Sequence, residues 1–161
     1  MTSWILALMI AMQPEAPWKD TYPATAAAID LAVREQPSLF GDDDEGRAKT
    51  AAILVALAWA ESTFKPNAVG AGGASGLFQI AGRGNLTDPT KAASMALTMV
   101  RESFTLCRAR PVDERLAIYA AGGTSCKDMP ARVLEKSRFR VWKALSTYKK
   151  YPPPSPDAGA P

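Results

Sequence analysis

The sequence contains no histidine. That absence excludes a histidine general base, a Ser-His-Asp triad and any zinc site built on imidazole. There are only two cysteines, Cys107 and Cys126, too few for a four-thiolate metal site. Their number alone leaves two readings open, one disulfide or two buried thiols, and a disulfide would imply an oxidising compartment. No apolar run reaches the ~18 residues of a membrane span. Basic residues form no long run and do not interleave with aromatics, which argues against a nucleic-acid surface. The net charge of +3 is mild: it permits attraction to an anionic polymer without demanding it.

What is present suits one folded domain: 161 residues with an ordinary apolar share of 47%. Residues 1–21 read as a lead-in. Within it Trp4 to Met12 is apolar and stops at Gln13-Pro14. Its length fits a signal-peptide core, yet the basic residues expected before such a core are missing, and a first helix is the other reading. Residues 22–150 read as the domain. Residues 151–161, dominated by Pro, Ala, Ser and Gly, can bury little surface and read as a disordered, partly polyproline tail.

Within the domain the pattern is helical. Ala24 to Glu35 carries Ile29, Ala32 and Val33 on one side, and Pro37 ends it. From Arg47 to Thr63 the chain is different, because Ala51 through Ala60 is apolar all round. A helix without a polar face is buried on every side. The acidic run Asp42 to Glu45 precedes it, where negative charge favours a helix start. A glycine-rich loop, Gly70 to Gly76, and a short apolar run, Leu77 to Ile80, follow. Asp88-Pro89 reads as N-cap and first residue of a helix with Ala93, Ala96, Leu97, Val100 and Phe104 inside. Pro111 opens a short helix, Val112 to Ala121, closed by Gly122-Gly123. Met129-Pro130 leads into a last helix ending near Lys149. No segment alternates like a strand, so the class is mostly α.

Glu61 stands at the C-terminal end of the all-apolar helix. Burial and the negative end of the helix dipole both disfavour its carboxylate and raise its pKa. A carboxyl group still protonated near neutral pH can donate to a leaving oxygen. The bland alternative is a salt-bridged helix end. The other candidates carry alternatives of the same kind. The glycine-rich loop lets a bulky polymer approach the backbone, or is a flexible linker. Ser62 binds an acetamido group or caps its own helix. Gln79 positions sugar or Glu61, or bonds buried backbone. Tyr119 brings its hydroxyl to the acid or is a core aromatic with a polar tip.

The run Glu61-Ser62-Thr63-Phe64-Lys65-Pro66-Asn67-Ala68, followed by Gly73-Ala74-Ser75-Gly76-Leu77-Phe78-Gln79-Ile80, closely resembles the transglycosylase SLT family. In that family a catalytic Glu-Ser pair precedes an aromatic, a proline and an alanine, and a Gly-Ala-x-Gly-Leu-Met-Gln-Ile run follows. Phe78 stands where Met is usual. Tyr119-Ala120-Ala121-Gly122 looks like the third motif, Tyr-Asn-Ala-Gly, with Ala120 in place of Asn. The three come in the family's order and spacing, over about Ile29 to Leu145.

The resemblance implies a lysozyme-like domain that cleaves peptidoglycan as a lytic transglycosylase, with Glu61 as acid and then base and with Ser62, Ser75, Gln79 and Tyr119 touching substrate. It implies no metal and no cofactor, action in the periplasm or outside the cell, and glycan strands as the partner. An antiparallel helix hairpin would bring Cys107 and Cys126 together, and some relatives carry similar pairs. Glycosidases generally need two carboxylates. Here no acid lies between Gly70 and Gly84, and Asp88, Asp113 and Glu114 fall at helix starts, where capping explains them. A hydrolytic lysozyme on the same fold, a non-catalytic wall-binding module and a helical adaptor inside a secretion or phage-tail assembly are the rival readings. The last helix carries Lys136, Arg138, Arg140, Lys143, Lys149 and Lys150, read as a solvated face.

Overall fold

A computed structural model describes residues 1–82, 84 and 86–154. It contains α1 (Thr2–Met12), α2 (Tyr22–Glu35), α3 (Asp44–Ser62), α4 (Pro89–Leu106), α5 (Ala117–Ala121) and α6 (Ala131–Lys150). Among the described residues there is no strand. Two isolated bridges, Val69 with Ser75 and Ser75 with Ile80, pinch the loop between α3 and α4. No described helix is long and apolar enough to cross a membrane.

The organising element is α3. Asp43 caps its start, its carboxylate accepting from Gly46 N at 2.7 Å, and Asp44 and Glu45 occupy the first turn. Negative charge there complements the partial positive charge of the unpaired N–H groups. From Thr50 through Ala58 every residue is buried, as the all-apolar pattern requires. Helices α6, α2 and α1 pack around it. Thr50 is satisfied inside this shell, since its hydroxyl donates to Gly46 O at 2.9 Å and accepts from Leu39 N at 3.0 Å.

The apolar stretch near the N-terminus folds as α1, and its Ile5, Leu8 and Met9 are fully buried in the same core as α2 and α3. Trp4 fastens this helix to the far end of α6: its indole N–H donates to Tyr151 O at 2.8 Å and its ring meets Tyr148 edge-on. Of the tail expected to be disordered, residues 155–161 lie outside the described residues.

Helix α4 starts as its sequence suggests. Asp88 accepts from Thr90 N and Lys91 N at 2.8 and 3.3 Å, Pro89 follows, and Ala93, Ala96, Leu97, Val100 and Phe104 are buried. The helix expected from Val112 to Ala121 is instead a 3-10 turn, Val112–Glu114, followed by α5. The break has a tertiary cause. Ser103 on α4 donates its hydroxyl to Arg115 O at 2.7 Å, and Ser137 on α6 accepts from Leu116 N at 3.0 Å. Buried hydroxyls on neighbouring helices thus take backbone groups that a continuous helix would pair internally.

Cys107 caps the end of α4 and forms a disulfide with Cys126 after α5, with Cα atoms 5.3 Å apart. The link closes the base of the α4–α5 connection over a small second core of Ala117, Ile118 and Val133. Arg110 reinforces it, donating Nε and Nη2 to Cys126 O at 3.0 and 2.8 Å.

Candidate active site around Glu61

Glu61 is the penultimate residue of α3, three residues beyond the end of its wholly buried stretch at Ala58. The helix is stopped by two consecutive residues with positive φ, Thr63 at 51° and Phe64 at 66°. That conformation is uncommon for a bulky side chain. It persists because Phe64 is fully buried and packs edge-on against Tyr22 at 5.3 Å between ring centroids. Thr63 N and Phe64 N also take up the Trp59 and Ala58 carbonyls. The core therefore fixes the direction in which α3 ends, and with it the position of Glu61.

The Glu61 side chain is one-fifth exposed, and its Oε1 accepts from Nη2 of Arg140 on α6. Burial pushes its pKa above the ordinary carboxylate range, against the opposing pull of Arg140 first and Lys136 second. Tyr119 on α5 stands close enough to feel this charge. Burial first, and then Glu61, drive its phenol well above its usual pKa. A neutral tyrosine can donate, and its hydroxyl gives a 3.0 Å hydrogen bond to Phe78 O.

The facing wall is the loop from Gly70 to Leu86. Ser62 reaches across to it, its hydroxyl lying 2.8 Å from Leu77 O and 3.0 Å from Ala58 O. Gln79, at φ 48°, donates its amide to Ala68 O at 3.1 Å and Gly76 O at 2.9 Å. Ser75 donates to Gly84 O at 3.1 Å and accepts from Leu86 N at 3.3 Å. Leu77, Phe78 and Ile80 are buried behind these bonds. Glycine is required at Gly76, where φ is 77° and an added Cβ would lie 2.1 Å from Leu86 O. Tyr119 thus lies within reach of the Glu61 charge, but its hydroxyl, like the donors of Ser62, Ser75 and Gln79, is engaged with backbone and shapes the wall.

Two other acids are accounted for. Asp88 caps α4. Glu114 is buried between Arg138 and Arg110, which hold it below the usual carboxylate range, so ion pairing rather than capping occupies it.

Arg140 corrects the reading of α6 as a purely solvated face. Its side chain is only 11% exposed, and Nη1 is buried without a hydrogen-bond partner among the described residues. A signal was present in the spacing: Arg140 follows buried Ser137 by three residues and precedes buried Ala144 by four, at the edge of the inward stripe.

The family model of the transglycosylase SLT domain matches residues 38–149, which hold α3, the loop wall, α5 and most of α6. The chain belongs to the transglycosylase SLT domain family. No curated protein and no solved structure matches it. Membership in the SLT family implies a glycan-cleaving transglycosylase with peptidoglycan as substrate, acting where the cell wall is. The all-helical SLT domain is here built around a buried helix that ends at Glu61. A cavity of about 670 Å³, lined by Trp4, Asp44, Ala48 and Tyr148 among others, opens at the other end of α3. By helix rise it lies ~25 Å from the acid and is separate from this site.

Proposed function

We propose that this SLT domain is a lytic transglycosylase in which Glu61 cleaves the β-1,4 bond between N-acetylmuramic acid and N-acetylglucosamine and leaves 1,6-anhydro ends. The observation that carries the reading is a lone, largely buried carboxyl of raised pKa at the end of α3, with Asp88 and Glu114 occupied elsewhere. Protonated Glu61 gives its proton to the glycosidic oxygen as the C1–O bond breaks. The muramyl acetamido group shares the charge that develops at C1. The Glu61 carboxylate then takes the proton of the muramyl 6-hydroxyl as O6 bonds to C1. The wall of Leu77, Phe78 and Ile80 helps to keep water from that carbon. Ser62, Ser75, Gln79 and Tyr119 are the further residues assigned to the substrate face. The oxidised Cys107–Cys126 pair suits action outside the cytoplasm.

Digestion of purified peptidoglycan followed by mass analysis tests this directly. The expected fragments are one water lighter than hydrolysed ones. Hydrated fragments would assign the chain to lysozyme-type hydrolysis, and retention on the wall without any cleavage would make it a binding module.

Arg140 should set the working pH of this acid. It lowers the Glu61 pKa, so removing it raises that pKa further. An acid acts in its protonated form, and its activity fades as pH rises through its pKa. The alkaline limb of kcat/KM for Arg140→Met is therefore expected to move to higher pH, with the plateau roughly tenfold lower because Glu61 loses its orienting partner. Lys136 and Tyr119, the other titratable groups near the acid, are left in place. An unmoved alkaline limb would show that Arg140 does not act on the catalytic proton.

A further inference from the structure

The turn that ends α3 is gripped from a part of the chain that the family match does not reach. That match covers residues 38–149. Trp18 lies ahead of it, between α1 and α2, in the stretch read from the sequence as a lead-in. The stretch is folded. Ala16 is buried, the Tyr22 hydroxyl donates to Gln13 O at 3.0 Å, and Trp18 O accepts from the Thr21 hydroxyl at 2.8 Å. The indole N–H of Trp18 donates to Thr63 O at 2.9 Å, and Lys65 Nζ stands 5.6 Å from the centre of the same ring. One side chain thus meets the turn at two points, by a hydrogen bond and a cation–π contact. Thr63 is a β-branched residue at φ 51°, two positions after Glu61. Such a conformation persists only where its surroundings over-determine it.

We infer that Trp18 is a positioning residue for Glu61, tying the left-handed turn after α3 to the N-terminal part of the fold. The inference rests on the reading of Glu61 as the acid. The Trp18–Thr63 bond is exposed, so water can take over the Thr63 carbonyl when the indole is lost, and the fold loses little. Water does not tie the turn to anything else. Tyr22 and Phe64 still hold its buried side, while its solvent side is free to move. The end of α3 then keeps its hydrogen bonds but not its aim, and Glu61 and Ser62 lie on it. An acid has to meet its leaving oxygen within hydrogen-bond reach, so a small shift appears in the rate of chemistry before it appears in binding.

The test compares two tryptophans in the full chain. Trp18→Phe keeps an aromatic ring and removes the N–H. Trp4→Phe removes the same kind of bond, 2.8 Å to Tyr151 O, at the far end of α6. Trp18→Phe is expected to lower kcat on peptidoglycan about tenfold with KM unchanged, and Trp4→Phe to leave both unchanged although its Tm falls at least as far. Hydrogen exchange at the Thr63 and Phe64 amides, which bond Trp59 O and Ala58 O, should quicken in Trp18→Phe alone. Combined with Arg140→Met, the loss in kcat should fall short of the product of the two single losses, because both substitutions act on the same carboxyl. Wild-type kcat in Trp18→Phe would overturn the inference. So would equal losses in the two phenylalanine variants, which would mark a general effect of stability. Glu61→Gln is assayed beside them. If it is inactive while Trp18→Phe is fully active, the acid stands and the tie falls. If it remains active, the acid falls and the positioning role falls with it.

Discussion

Glu61→Gln is expected to leave a folded protein that cleaves peptidoglycan ~10²–10⁴-fold more slowly, with the larger loss if one residue serves as both acid and base. The substitution keeps the size of the side chain, and its amide oxygen can still accept from Arg140 Nη2. What disappears is the proton. A carboxamide neither donates at the acidity required by a leaving sugar oxygen nor takes a proton from the 6-hydroxyl afterwards. The exchange also removes a negative charge from beside the 11%-exposed Arg140, so a modest fall in Tm is expected along with the loss of rate. Turnover on purified cell walls, measured alongside circular dichroism, decides the matter. Near wild-type turnover by a folded variant would remove Glu61 from the mechanism.

The second large effect should come from Gly76, which carries no functional group. Alanine there meets two obstacles together. Its φ of 77° disfavours any L side chain, at about 1–2 kcal/mol, and its Cβ would sit 2.1 Å from the Leu86 carbonyl oxygen. That oxygen belongs to the backbone and cannot swing aside, so the loop at Gly76 has to move away from Leu86. Leu77, Phe78 and Gln79 follow immediately, and a displacement of ~1 Å at a catalytic wall can lower rate ~10²-fold. Gly76→Ala is thus expected to lose about two orders of magnitude in kcat/KM with Glu61 untouched, and to speed hydrogen exchange in the loop. Gly72→Ala is the matched control: φ there is 65°, but nothing lies within 4 Å of the added Cβ. Equal, small effects of the two substitutions would mean that close packing against Leu86 does not position the wall.

Much of the scaffold was legible because its signals are local. The acidic run before α3, Asp88-Pro89 before α4 and the unbroken apolar stretch from Ala51 act within a few residues, and each element formed as expected. What depended on distant partners was hidden. The break before α5 comes from Ser103 and Ser137, 12 and 21 residues away from the backbone groups they bind. Trp4 to Met12 suited either a leader or a helix, since a short apolar run looks the same in both. Arg140 passed for a solvated cation because a charged residue on an amphipathic helix ordinarily faces water. Ser62 and Gln79 were recognisable as polar groups at the right place, yet whether a hydroxyl or amide faces sugar or backbone is decided by geometry that spacing alone does not carry.

The bonds that hold the wall share one property. Ser62 addresses the carbonyl of Leu77, Tyr119 that of Phe78, and Gln79 those of Ala68 and Gly76. Every acceptor is main chain, present whatever residue is encoded there. Residues 77 and 78 are therefore free to change among apolar side chains that fill the same space, without loosening the clamps, and Phe78 in place of the more usual methionine is a drift of that kind. Residues 62, 79 and 119, which supply the donors, have no such latitude.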